Sequence, residues 1–333
     1  MNERSRVVRC LLTRIVAVGS IILGHSASPQ VTSNAAVHEL RVPVAGTSLY
    51  VRTIGRGQRT IVLHGGPDFD QAYLLPELDR LQDVLQLIYY DQRGRGRSAD
   101  NVRASDVTIA SELADLDAVR RHFDLDSMII LGHSWGAVLA LEYALRHPNR
   151  VSSLILMNPA PVSTVGFAHL RESYVAALGP DMERQRQIAA SAAYQAADPQ
   201  TVADRYRIHF RHALVRPEHY EALLDRMRAQ FIHQGNDGIL RARAVEDQLM
   251  RDTWQRADYD LLPKLRALQI PTLVVTGKQD FIPVAIAEEI AESLPNARFT
   301  AVDKCGHFAY LECPDEVRKA IEEQLQRTMM KPR

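Results

Sequence analysis

"IILGHSWGAVLA", residues 129–140, decides the fold class. Ile129, Ile130 and Leu131 form an apolar run that reads as a strand covered on both faces. From Trp135 onward, "WGAVLALEYALRHP" reads as a helix closed by Pro148. Gly132-His133-Ser134-Trp135-Gly136 stands at the junction. A serine on so sharp a strand-to-helix turn has a strained backbone, and flanking glycines remove the Cβ clashes. The helix that follows offers a positive dipole end and a free backbone N–H at Trp135. Ser and Gly are common, so the pattern alone is also that of an ordinary turn. Its flanking strand and helix, and two later signals, separate the readings.

A serine hydroxyl is a poor nucleophile until a base takes its proton. A histidine oriented by a carboxylate supplies that base, in the chain order Ser, Asp, His. "VVTGKQDFIP" places Asp280 just past an apolar run, and "DKCGHFAYLECP" places His307 in a late loop. Taken singly, Asp280 reads as a helix cap and His307 as a surface imidazole. Together with Ser134 they form a strand-end trio on one sheet edge. Acyl transfer also needs two donors for the oxyanion. Trp135 N–H is one. The loop "HGGP" after "TIVL", residues 60–63, supplies the other: Gly66 N–H, with Gly65 the alternative. His64 is expected to brace that loop. "DQRGRGRS" lacks the Gly-Lys-Ser/Thr ending of a phosphate cradle, so Asp91, Arg93 and Ser98 read as a hydrogen-bonded turn.

Around these motifs the chain alternates. "HELRVPVAGTSLYVRTIG" reads as a hairpin turned at Ala45-Gly46, "LLPELDRLQ" as helical and "LQLIYY" as a strand. Ile109, Leu113, Leu116, Val119 and Phe123 fall on one helical face. Strand and helix alternating in this way mean a mostly parallel sheet with helices on both faces. The core is expected over residues 37–161 and 257–328. Residues 162–256 show no strand pattern and read as an inserted helical cap. Asp198-Pro199 and Pro217 mark helix starts there, and Tyr220, Leu223, Leu224 and Met227 form an apolar stripe.

Composition narrows the function classes. The 333 residues are 46% hydrophobic, enough for a large core, and the formal net charge of +0 gives no basic excess for nucleic acid. The expected partner is a small molecule or short peptide. The first 27 residues carry Arg4, Arg6, Arg9 and Arg14, then the uncharged run Ile15–Gly24, then small residues. That order is expected of an export signal, with a periplasmic or secreted product and no stable membrane insertion after processing. Without such a signal the chain would be cytoplasmic. Scattered His and three Cys make no metal-ligand cluster, so neither metal nor organic cofactor is expected. Cys305 and Cys313 flank His307; an oxidising compartment allows them to pair, and free thiols are the simpler expectation.

The order HGGP, DQRGRGRS, GHSWG and then strand-end Asp and His resembles the α/β-hydrolase superfamily. More narrowly, it resembles the proline iminopeptidase group of serine peptidases. The resemblance covers the core segments and implies Ser134 as nucleophile, Asp280 and His307 as its partners, and a helical cap over the site. Three features depart from that group. Asp68 stands where a glycine is usual, Ala137 follows Gly136, and the cap lacks an aromatic-rich segment ending in Glu. An ammonium pocket needs buried carboxylates. Asp68 and Glu246 are the candidate substrate-binding residues, with Asp237 and Glu172 further cap carboxylates. The chain is therefore expected to be a serine hydrolase of aminopeptidase type. A carboxylesterase or lactonase with the same triad is the alternative, and a non-catalytic binding protein on this fold the remote one.

Overall fold

The computed structural model describes residues 36–329. The expected export signal lies outside the described residues. The eight strands are β1 (His38–Val44), β2 (Thr47–Gly55), β3 (Gln58–Leu63), β4 (Leu85–Tyr90), β5 (Met128–His133), β6 (Val151–Met157), β7 (Thr272–Gly277) and β8 (Ala297–Val302). They form one sheet in the order β1-β2-β4-β3-β5-β6-β7-β8. The hairpin strand β2 pairs antiparallel with β1 and β4, and every later pairing is parallel.

Alternation along the central strands divides their side chains between two apolar layers. Ile61, Leu63, Ile130, Leu154, Leu156 and Val274 point into one layer. Val62, Ile129, Leu131, Ile155, Met157, Leu273 and Val275 point into the other. Helices α1 (Ile109–His122) and α2 (Trp135–Arg146) cover the first layer. Thr108 and Ser111 close α1 with a reciprocal capping box. Ten of the twelve residues of α2 are buried, so its Gly and Ala positions let it lie directly on the sheet.

Between β6 and β7 run α3 (Thr164–Leu178), α4 (Asp181–Ala190), α5 (Ala192–Gln195), α6 (Pro199–Ala213) and α7 (Tyr220–Asp252). Asp198 Oδ1 accepts from Thr201 N–H at 2.8 Å, capping α6 with Pro199 in its first turn. Leu223, Leu224 and Met227 are buried on the predicted stripe. α7 is broken at Gly235, where φ is +64°. Then follow α8 (Leu262–Leu265), α9 (Val284–Glu292), α10 (Ala309–Glu312) and α11 (Pro314–Met329). No helix among the described residues is long and apolar enough to cross a membrane.

Two local expectations are corrected. "LLPELDRLQ" is not an α-helix but two short 3-10 turns, Gln71–Leu74 and Glu77–Leu81, because Pro76 interrupts the N–H ladder. Cys305 and Cys313 are not free thiols: they form a disulfide with Cα atoms 6.2 Å apart. The fold brings both cysteines to the base of one loop, which the sequence separation of eight residues did not reveal.

Candidate active site

Ser134 sits between β5 and α2 with φ 54° and ψ −117°, a strained backbone for a residue with a Cβ. A Cβ on Gly132 would come within 2.4 Å of Gly136 O, and one on Gly136 within 2.2 Å of Leu63 O. Both positions therefore need glycine for space. Hydrogen bonds hold the turn: Ser134 N–H donates to Met157 O at 3.0 Å, and Ser134 O accepts from Ala137 and Ala160 N–H at 3.0 and 3.2 Å. The side chain faces a cavity of about 420 Å³.

His307 lines the same cavity from the loop after β8. Its Nδ1 lies 3.0 and 3.1 Å from Asp280 Oδ1 and Oδ2. The carboxylate oxygens can only accept, so Nδ1 carries the proton and Nε2 is left basic. The Asp280 side chain is fully buried. Its Oδ1 also accepts from Ile282 N–H at 2.9 Å, and its Oδ2 from Asn158 Nδ2 at 2.8 Å. Asn158 itself has φ +47° at the end of β6. Ser134 and His307 line one cavity without a direct hydrogen bond between Ser134 Oγ and the imidazole.

The loop after β3 approaches Ser134 through bare backbone. A Cβ on Gly65 would lie 2.9 Å from Ser134 Cβ and 2.8 Å from Tyr73 Oη. Gly65 N–H is committed to Tyr73 Oη at 2.6 Å. Of the two candidate donors, Gly66 is then the one whose N–H has no partner among the described residues; its φ is +112°. His64 braces the loop as expected, donating from Nδ1 to Gly65 O at 2.9 Å and accepting from Gln92 N–H at Nε2 at 3.0 Å. Burial pushes its pKa down to about 3 and keeps it neutral. The turn after β4 is hydrogen-bonded throughout: Asp91 accepts from Gln71 and Arg97, Arg93 pairs with Asp115, and Ser98 Oγ accepts from Tyr50 N–H.

A buried relay ties three loops together. His133 Nε2 donates to His307 O at 3.0 Å, so its Nδ1 accepts from Tyr73 O–H at 2.7 Å. Tyr73 Oη in turn accepts Gly65 N–H. Glu312, wholly buried, makes a second clamp. It accepts from Val215 and Arg216 N–H at 2.7 and 2.6 Å, and from Gly306 N–H at 2.6 Å. His307 N–H donates to Ala213 O at the end of α6 at 2.8 Å. The His307 loop is thus fastened to the helical insertion as well as to the sheet.

The insertion roofs the cavity. Phe167, Leu170, Arg171 and Tyr174 contribute the inner face of α3; Tyr206, His209 and Phe210 come from α6; Glu246 and Met250 come from α7. Asp68 and Glu246 both line it. Asp68 Oδ2 accepts from Tyr206 O–H at 2.6 Å. It does not cap the following turn; Asp70 does, through Ala72 N–H at 2.8 Å. Burial raises the pKa of Asp68, and burial together with the Asp68 charge raises that of Glu246 to about 8. Arg205 and Arg243 partly offset the two carboxylates. Glu172 and Asp237 are exposed and do not line the cavity.

Residues 61–314 match the family described as alpha/beta hydrolase fold. The chain belongs to the α/β-hydrolase fold family. Within that family it is 26% identical over 290 residues to the proline iminopeptidase of Saccharolobus solfataricus, covering 84% of this chain and 89% of that protein. The solved proline iminopeptidase of Mycobacterium smegmatis superimposes with a TM-score of 0.65 at 22% identity, over 88% of this chain and 99% of that one. A thermophilic esterase from Thermogutta terrifontis superimposes with a TM-score of 0.64 at 22% identity, over 87% and 99%. At such identities the two structures show a shared α/β-hydrolase fold and nothing finer.

Five residues of this α/β-hydrolase site escaped the sequence reading: Tyr73, Asn158, Tyr206, His133 as a relay, and Glu312. Asn158 was the most accessible, since it ends the apolar run of β6 on the edge that carries Ser134. Tyr206 and Phe210 share a helical stripe that reads equally well as core. Tyr73 and Glu312 carry no local pattern at all.

Proposed function

We propose that this chain is a serine hydrolase that works through an acyl-enzyme. In this reading His307 Nε2 takes the proton of Ser134 Oγ as that oxygen attacks a carbonyl carbon. Gly66 and Trp135 N–H receive the charge that develops on the carbonyl oxygen. His307 then hands its proton to the leaving group, and in the second half it activates water against the acyl-enzyme. Asp280 keeps the Nδ1 tautomer and stabilises the imidazolium. The observation that carries the reading is the Asp280–His307 pair, 3.0 Å apart, opening on the cavity that holds Ser134 at a strained turn.

The favoured substrate carries a free amino group beside the scissile carbonyl: a short peptide whose N-terminal proline or other small residue is released. Asp68 and Glu246, two carboxyl groups lining one cavity, favour an ammonium there. Likeness to a protein named proline iminopeptidase supports the same choice. A carboxylesterase or lactonase is the second reading, favoured by the largely aromatic and aliphatic lining and by the readiness of Glu246 to be neutral near pH 8. A hydrolysis panel of aminoacyl anilides, their N-acetylated forms and short-chain esters separates the two. Preference for the blocked amides or the esters overturns the aminopeptidase. Turnover that survives Ser134→Ala in a clean preparation overturns the serine mechanism.

A further inference from the structure

One histidine in the cavity has no part in the mechanism above. His209, on α6, faces the space that also holds Ser134 and His307. Its ring centroid lies 4.9 Å from that of Phe281, which is itself 4.6 Å from that of His307. It therefore stands on the His307 side of the cavity, where a group leaving the acyl carbon receives its proton.

The proton on His209 has a defined place. Gln185 Nε2 donates to Tyr174 Oη at 3.1 Å, and Tyr174 Oη lies 2.8 Å from His209 Nδ1. With its oxygen accepting from Gln185, the tyrosine satisfies its own hydrogen by donating to Nδ1. Nδ1 is then an acceptor, and the imidazole carries its hydrogen on Nε2. Burial, with the nearby His307, lowers the His209 pKa to about 3, so the ring is a neutral single donor at working pH. Gln185, Tyr174 and His209 come from three separate helices, α4, α3 and α6, and all three line the cavity. A chain of this kind is costly to assemble unless its last donor has a partner.

We propose that His209 is a specificity-determining residue for the leaving group. Its Nε2–H donates to a carbonyl oxygen that lies a short way beyond the scissile bond, as in the next residue of a peptide. Gln185 and Tyr174 act as positioning residues that hold the tautomer. Substrates whose leaving group has such an acceptor are thereby preferred over anilides and simple alkyl esters. The inference rests on the serine-hydrolase reading of Ser134 and His307, but not on the nature of the acyl group.

The test compares two leaving groups on one acyl part. Prolyl-glycinamide is set against prolyl anilide and, in parallel, a glycolamide ester against the ethyl ester of the same acid. His209→Phe is expected to lower kcat/KM on the acceptor-bearing member of each pair about tenfold more than on its partner. His209→Gln, which keeps an N–H near the Nε2 position, should restore most of that preference. Tyr174→Phe should lower the preference in the same direction as His209→Phe. An equal loss on both members, or no loss on either, overturns the proposal and leaves His209 a packing residue. Fluorophosphonate labelling of Ser134 in each variant separates this outcome from failure of the underlying reading. If the wild-type protein is not labelled, the serine mechanism has failed; if it is labelled and the preference is unmoved, only His209 has.

Discussion

Tyr206 O–H donates to Asp68 Oδ2 at 2.6 Å, joining α6 to the loop after β3 that leads into Gly66. The carboxylate that interrupts an otherwise bare backbone loop is thereby turned toward the cavity roof. Asp68→Asn keeps the shape and removes the charge. It is expected to raise KM for free-amine substrates about tenfold and to leave KM for uncharged esters nearly unchanged. Steady-state kinetics on matched amine and ester substrates checks this. Equal effects on both would make Asp68 a structural residue.

Glu246 gives a dependence of stability on pH with a definite sign. Its folded-state pKa of about 8 lies above the ordinary value of 4.5. Between those two values the folded state holds a proton that the unfolded state has released, so stability falls as pH rises through that window. Above it the full cost of a buried charge beside Asp68 remains. Glu246→Gln removes the cost. The variant should melt higher than wild type at pH 9, with the difference vanishing at pH 4; a constant difference across that range would contradict the assignment.

Tyr73 serves two partners, Gly65 N–H and His133 Nδ1. Tyr73→Phe leaves both buried without a partner, at a cost of about 2–4 kcal/mol for the two groups. Denaturant unfolding should show that loss. Because Gly65 precedes the proposed oxyanion donor, kcat should also fall while KM changes little. A stable variant with full kcat would mean that the relay does not position the loop.

Asn158 Nδ2 lies 2.8 Å from Asp280 Oδ2 and 3.1 Å from Gly306 O. Asn158→Ala is expected to reduce kcat by about ten- to a hundredfold, by freeing both the carboxylate and the His307 loop. Asn158→Asp should be worse, since it sets a second carboxylate against Asp280. The pH–rate profiles of the two variants check this: the alkaline and acidic limbs should move in the aspartate variant and not merely scale.

Glu312 accepts three backbone N–H groups from two segments. Glu312→Gln converts one of its two acceptor oxygens to a donor. At least one buried N–H then faces another N–H, which should cost about 3 kcal/mol of unfolding free energy. Hydrogen exchange should report faster opening at the loop residues Val215, Arg216 and Gly306 relative to the sheet.

The strands and their order of use were legible because their causes are local. An apolar run such as Ile129–Leu131 has one way to be covered, and the glycines on either side of Ser134 announce a turn too tight for a Cβ. Asp280 and His307 were legible for a related reason: each follows a strand, β7 or β8, at the carboxyl edge of the parallel sheet, and parallel topology brings all such ends to one side. The helical insertion was visible as an absence of strands and in the helix starts at Asp198-Pro199 and Pro217, and Pro76 showed that helical spacing does not survive a missing N–H.

The rest depended on distance in space. Tyr73 and His133 are 60 residues apart, Tyr206 and Asp68 are 138 apart, and Asn158 and Asp280 are 122 apart. None of these pairs has a sequence spacing that physics prescribes, because a side chain carries no local record of what will be packed against it. By itself the sequence determined the sheet, the strained Ser134 turn and the edge on which its partners gather. Only the tertiary structure decided that Asp68 meets Tyr206, that Gly65 gives its N–H to Tyr73, and that His209 Nδ1 meets the Tyr174 hydroxyl. Those outcomes follow from buried polar groups finding partners, and that accounting closes only when the whole chain is folded.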